Sequence, residues 1–244
     1  MRQLYKTKNN LLSLVKILLT WTLLTSLFFS CSDSSTEPTD PNNYYPLSVG
    51  QYQVYEVREE IYSSGQKVPV VTSWLERDEI SSMKTNTNGS STFIVSRSRR
   101  NTTADYWQKV KEYAIEQYPD KLIFNIDNQI TVPFIFPVDS KVSWNGNMYN
   151  TLDKQDYHYE DINASYQLGD LSFDKALTVV ERRDTTSVID YYLSLKRYAL
   201  GVGLVYDEQT AYQYCQSSPE CIGLDIVDSG SRKTRKILEY GLLQ

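Results

Sequence analysis

From Tyr44 onward, apolar and polar positions alternate with a period close to two, the pattern of strands that bury one face. Gln51-Tyr52-Gln53-Val54-Tyr55 opens it, before the alternation blurs at Glu56–Glu60. Val68–Leu75 and Ser91–Ser96 are rich in β-branched and aromatic residues, with Asn88-Gly89 between them. Both turn residues tolerate positive φ, so residues 69–98 are predicted to form a long hairpin. Ile130–Phe136 reads as a strand that Pro133 confines to an edge or a bulge. Trp144-Asn145-Gly146-Asn147 supplies a second Asn-Gly turn. Tyr157–Ile162 and Leu171–Phe173 are short strands, and Ala176–Arg182 and Val188–Ala199 flank a polar turn at Arg183–Thr186. Leu204–Tyr214 follows Gly201-Val202-Gly203, where backbone must turn or pack closely, and Arg232–Tyr240 ends the series.

Residues 103–117 fit two patterns. Trp107, Val110, Ala114 and Tyr118 have helical spacing, and Thr102 with Asp105 mimics a capping box. Tyr118-Pro119-Asp120-Lys121 is instead a turn leading into Leu122–Ile126. A strand–turn–strand hairpin accounts for both halves and a helix only for the first, so a strand is expected. No stretch alternates strand with helix as a parallel sheet requires. The expected fold is all-β: one antiparallel meander over residues 44–244, strongly twisted or curled into an open or partial barrel.

The first thirty residues have a different pattern. Met1–Asn10 carries three positive charges, and Ile17–Phe29 is an uncharged run that, as a helix, would reach only about 20 Å of a roughly 30 Å hydrocarbon core. That is the form of a cleaved secretory leader, Met1–Ser30; an uncleaved anchor would have to accommodate Lys16. Leu27-Phe28-Phe29-Ser30-Cys31 resembles the cleavage and lipidation site of bacterial lipoproteins, which implies a diacylglycerol thioether on Cys31. Acyl chains there would hold the protein on a membrane. Ser32–Asn43 has no apolar residue larger than proline and is expected to be a disordered tether with an r.m.s. reach of about 20 Å. Ser32 after the cysteine, where aspartate is absent, points to the outer membrane, with its periplasmic and surface faces both open.

Of the 25 basic residues the leader holds Arg2, Lys6, Lys8 and Lys16 and no acid, so 21 face 30 acidic residues in the remainder, near −9. Such a body repels phosphate backbones, and nucleic acid is not an expected partner. The 20 tyrosines suit half-buried sheet faces with polar edges.

Candidate chemistry is sparse. Cys215 and Cys221 flank Gln-Ser-Ser-Pro-Glu, and in an oxidising envelope they are expected to form a disulfide that pins a loop. His158 is the one histidine, which excludes multi-histidine zinc sites. On a strand Asp156, His158 and Glu160 share one face, either a solvated face with Tyr157 and Tyr159 turned inward or a weak cation site. Asp156 and Glu160 are also the carboxylate pair a hydrolase would need. Ser81-Ser82-Met83-Lys84 matches a serine–x–x–lysine nucleophile pattern, but Lys233-Thr234 is followed by Arg235 where that chemistry wants glycine. Arg232, Lys233, Arg235 and Lys236 place two cations on each face of a strand, to guard an edge or to meet an anionic partner such as lipopolysaccharide. Asp184-Thr185-Thr186 resembles an envelope O-glycosylation site, and equally a polar hairpin tip.

Tyr45-Pro46-Leu47 with Gly50-Gln51-Tyr52, Phe136-Pro137-Val138 with Trp144-Asn145-Gly146-Asn147, and Tyr198-Ala199 with Gly201-Val202-Gly203-Leu204-Val205-Tyr206 together resemble uncharacterised lipoproteins of Gram-negative envelopes. The resemblance implies an all-β envelope domain and is silent on activity. With no catalytic set, cofactor or metal expected, the reading is a non-enzymatic module that binds an envelope protein or glycan. The alternative is a lipocalin-like carrier, which would need small apolar residues where Tyr, Phe and Val stand.

Overall fold

Turn residues decide where this chain reverses. Gly89 (φ 83°), Gly169 (φ 58°) and the pair Asp127 and Asn128 (φ 53° and 63°) occupy the left-handed region that tight connections demand. Between them the alternating segments extend as strands. The computed structural model describes residues 43–66 and 68–243, and among them every regular element is a strand. In chain order these are β1 (Gln51–Tyr62), β2 (Val70–Thr85), β3 (Ser91–Arg100), β4 (Gln108–Gln117), β5 (Lys121–Ile126) and β6 (Gln129–Ile135). Then come β7 (Ser143–Asn145), β8 (Asp156–Leu168), β9 (Leu171–Asp184), β10 (Asp190–Ala199), β11 (Gly203–Tyr214) and β12 (Val227–Leu242). The leader, Cys31 and the tether up to residue 42 lie outside the described residues.

All pairings are antiparallel, in the order β6-β5-β4-β3-β2-β1-β12-β11-β10-β9-β8-β7. The sheet curls into a nearly closed barrel with one unsealed seam, between β6 and β7. Residues 69–98 are the predicted hairpin, Pro133 lies on an edge strand, and residues 108–117 are a strand. The capping-box pair proves to be a turn, in which the Asp105 carboxylate accepts the Thr102 amide at 2.8 Å.

Three expectations need correction. Arg232–Tyr240 is no edge: β12 lies between β1 and β11, because the first and last strands pair with each other. Leu171–Phe173 and Ala176–Arg182 are one continuous strand, β9. Gly146 carries no positive φ; it is glycine because a Cβ there would fall 2.2 Å from the Tyr157 ring.

Strand directions alternate around the barrel, so the β1–β2, β3–β4, β9–β10 and β11–β12 connections share one end, the far rim. Residues 43–50 lead in at the opposite, near end and close it. The Asn43 carbonyl accepts the Gly201 amide (2.8 Å), and the Tyr44 hydroxyl donates to Asn163 (2.8 Å). The Tyr45 ring packs edge-on to Phe124 at 5.4 Å and against Tyr198 at 5.8 Å. Tyr45 and Leu47 touch both apolar clusters of the interior, the larger around Tyr55, Val57, Phe134, Leu177 and Tyr198, the smaller around Ile80, Phe93 and Ile115.

The seam is bridged one bond at a time. The Val132 amide donates to the Gly146 carbonyl (2.9 Å), and the Trp144 indole donates to the Val132 carbonyl (2.7 Å). The Tyr159 hydroxyl donates to the Ile135 carbonyl (2.6 Å) and accepts the Ile135 amide (3.0 Å). Pro133 has no N–H to offer, and β7 is only three residues long, so no continuous ladder can form there.

Candidate functional site

Charge inside the barrel determines what the wall can do. On β2, Trp74, Glu76, Asp78 and Ile80 all face inward and are buried, so two carboxylates enter the core. Arg97 on β3 meets Asp78 through two bonds, Nε at 2.6 Å and Nη2 at 2.7 Å. Arg235 on β12 adds Nη2 at 2.9 Å to Asp78 and approaches Glu76 at 3.2 Å. The Tyr113 hydroxyl donates to Asp78 (3.2 Å) and the Trp74 indole to Glu76 (2.9 Å). Burial alone would raise the Asp78 pKa, but the two guanidiniums overcome it and hold the carboxyl well below the usual range. A second buried network joins Glu181 on β9 to Lys196 and Ser194 on β10 and Gln209 on β11. Burial lowers Lys196, yet Glu181 and Asp207 more than restore it and leave it raised. Every cation in these networks is matched by a carboxylate. They act as struts between strands.

The outward-facing candidate is the far rim. The β9–β10 and β11–β12 tips are joined by Tyr214 N–H to the Ile189 carbonyl (2.8 Å) and by Gln216 Nε2 to the Val188 carbonyl (2.9 Å). The Ser64 hydroxyl on the β1–β2 tip donates to Asp228 (3.0 Å), bringing a third tip alongside. A Cys215–Cys221 disulfide holds the longest of these loops. Val68, Val70 and Val71 are exposed on the first tip, Val188 and Ile189 on the second, and Ile222, Leu224 and Ile226 on the third, with Leu224 64% accessible. Aliphatic side chains scattered singly on a surface need no explanation; eight on three tips joined by hydrogen bonds concentrate exposed apolar surface at this end. Asp184, Asp190, Glu220, Asp225 and Asp228 lie in or beside these loops.

The residues singled out from sequence fare unevenly. Tyr157 and Tyr159 do turn inward, and Asp156, His158 and Glu160 line the other face of β8. Glu160 is taken by Arg183 (2.7 and 2.9 Å) with His158 Nε2 at 3.2 Å, while Asp156 pairs with Lys154. The hydrogen bonds from Arg183 lower the Glu160 pKa, so this carboxylate is committed to an ion pair. Among the described residues no group of three or more metal-ligating side chains gathers. Of the four cations on β12, Arg235 is a buried strut, and Arg232 is paired with Glu208 at 2.8 Å. Lys233 sits 5.2 Å from the Trp74 ring, and Lys236 alone is exposed without an ion pair among the described residues. The run divides between core and surface and forms no basic patch. Ser81 donates to the Ile94 carbonyl and Lys84 is exposed. Asp184-Thr185-Thr186 is the exposed tip of the β9–β10 hairpin.

Sequence reasoning missed the rim aliphatics and the interior ion cluster. Ile222, Leu224 and Ile226 stand in a turn-rich loop after a cysteine pair, where three aliphatics are out of place. Glu76-Arg77-Asp78-Glu79 within a strand was the signal for the other: four consecutive charges must put two on each face.

No protein-family model and no curated protein matches the chain. Among solved structures it is similar to a protein described as a lipoprotein from Parabacteroides distasonis, at a TM-score of 0.43 and 10% identity, over 82% of this chain and 99% of that one. It is also similar to a protein from Bacteroides fragilis described as an exported protein with a YmcC-like fold, at a TM-score of 0.38 and 8% identity, over 80% of this chain and 98% of that one. Neither likeness is close enough to carry an activity across.

Proposed function

We propose that the chain is a non-enzymatic, lipid-anchored protein of the bacterial envelope, held at Cys31 in the outer membrane, whose far rim binds a partner protein. The observation that carries this reading is the set of eight exposed aliphatic residues on three adjoining tips, at the end of the barrel opposite residue 43. Residue 43 enters at the near end, so the far rim is the end of the barrel farthest from the point where the tether joins. The acidic residues in or beside those tips favour a partner surface with an apolar centre and a basic margin. A carrier of hydrophobic ligands has less support, since Tyr55, Phe134, Trp144, Tyr198 and the buried ion pairs occupy the interior.

Site-specific photo-crosslinking in intact envelopes tests the reading. A crosslinker at Leu224 or Ile189 is expected to trap one reproducible protein species, and one at Lys141 near the opposite end none. Equal trapping from both ends, or none from the rim, would remove the rim as the binding surface. Mass analysis of the N-terminal peptide tests the anchor separately: an unmodified Cys31 thiol would refute it.

A further inference from the structure

A different part of the far rim brings two adjacent arginines into one cleft. In this acidic body most described arginines are matched: Arg97 and Arg235 by Asp78, Arg77 by Glu79, Arg183 by Glu160, Arg232 by Glu208. Four meet no carboxylate within ion-pairing distance among the described residues: Arg182 and Arg197, which lie against tyrosine rings, and the adjacent pair Arg99 and Arg100 at the end of β3. Each of this pair leans on an indole instead: Arg99 lies 4.2 Å from the Trp74 ring on one face of the sheet, and Arg100 lies 4.2 Å from the Trp107 ring on the other. Arg77 flanks Trp107 from 5.3 Å and Lys233 flanks Trp74 from 5.2 Å, so each ring carries two cations. Stacking uses the face of a guanidinium and leaves in-plane N–H groups to grip a planar oxyanion; on Arg100, whose Nε is buried and whose Nη1 donates to Thr103, that role falls to Nη2.

Arg99 and Arg100, together with Asn101, Tyr106 and Gln108, line a cleft of about 680 Å³ at the end of β3. Tyr106 stands at its edge, 93% exposed, on a tip braced from within by Arg100 Nη1 to the Thr103 carbonyl (3.2 Å). The Asp105 carboxylate also lines the cleft and keeps its charge while accepting the Thr102 amide, so the two arginines leave the lining with a net positive charge of one. Two guanidiniums without carboxylate partners, side-chain amides from Asn101 and Gln108, and a free-standing aromatic face are the groups that recognise an acidic sugar. The charge goes to arginine, the hydroxyls to the amides, and the apolar ring face to tyrosine.

We infer that the β3–β4 cleft is a binding site for an acidic saccharide, one bearing carboxylate or phosphate. It rests on the far rim being the working end, but on none of the aliphatic residues assigned to the protein partner. Titration calorimetry with the purified protein tests it with three probes: an oligogalacturonate, a phosphorylated oligosaccharide, and a neutral oligosaccharide of similar length. One or both acidic probes should bind and weaken as salt is raised, and the pair identifies which anion is preferred; the neutral probe should not bind. Arg99→Gln with Arg100→Gln is expected to raise Kd about tenfold or more, the loss typical of charge-assisted hydrogen bonds. Tyr106→Ala, which removes a side chain in open solvent and so spares the fold, should raise it about fivefold and leave the salt dependence unchanged. Lys141→Gln with Lys175→Gln makes the same change of net charge near the other end and should leave affinity unaltered. The inference is overturned if neither acidic probe binds, if the neutral one binds as well, or if the arginine and lysine pairs lose affinity equally. Rim crosslinking at Leu224 is read independently, so either result can fail alone.

Discussion

Between β1 and β12 a backbone ladder runs from Gln51 opposite Leu242 to Tyr62 opposite Gly230, whereas between β6 and β7 the wall is held by separate bonds from Tyr159, Trp144 and Gly146. The ladder side is backed by charge, since Arg235 of β12 reaches across β1 to Asp78 of β2. The seam side is backed by neutral hydroxyl and indole donors and by close approach of a glycine to a ring. A junction made of many equivalent bonds tolerates the loss of one; a junction of a few scattered bonds depends more heavily on each. Where sequence cannot supply a ladder, because Pro133 lacks a donor and β7 is short, side chains of defined length substitute for backbone.

Four experiments break or sharpen that contrast. Asp78→Ala should have the largest effect, destabilising the barrel by about 3–5 kcal/mol in denaturant unfolding, because it leaves Arg97 and Arg235 buried without a counter-charge. Gly146→Ala should cost about 1–3 kcal/mol by forcing the new methyl into the Tyr157 ring, and pairing it with Tyr157→Ala should recover part of the packing loss. Tyr159→Phe strands the Ile135 amide and carbonyl together and should cost about 1–3 kcal/mol, with faster hydrogen exchange confined to β6 and β8. The smallest effect distinguishes the two junctions by pH. Asp78 is depressed in the folded state, so its stabilisation is complete above the ordinary carboxylate value of about 3.9 and is lost as pH falls from there toward its folded value. That amounts to about 1 kcal/mol by pH 3 and should vanish in Asp78→Asn, while Tyr159→Phe keeps the full acid dependence.

Strand positions and turn sites were legible because they rest on local chemistry: Asn88-Gly89 needs positive φ, and Pro133 cannot sit mid-sheet. The closing of the barrel was not, since nothing within β1 or β12 announces a partner nearly two hundred residues away. That is why Arg232–Tyr240 read as an edge strand whose charges guarded it. Arg235 illustrates the limit: its place in a strand could be read, but whether its face turned toward Asp78 or toward water depends on strands with no sequence relation to it. Lys236, one residue on, faces the other way. The rim aliphatics were missed for the opposite reason, since Val68, Val70 and Val71 look like any buried strand until the structure shows them exposed beyond the core.

The pairing of β1 with β12 also sets the order in which the molecule can be completed. As the polypeptide emerges N-terminus first, β1 through β6 can stack hairpin by hairpin, but the outer edge of β1 stays bare until Val227 and the residues after it arrive. Any truncation before that point leaves a sticky half-shell, so premature release should yield aggregates in place of a smaller folded domain.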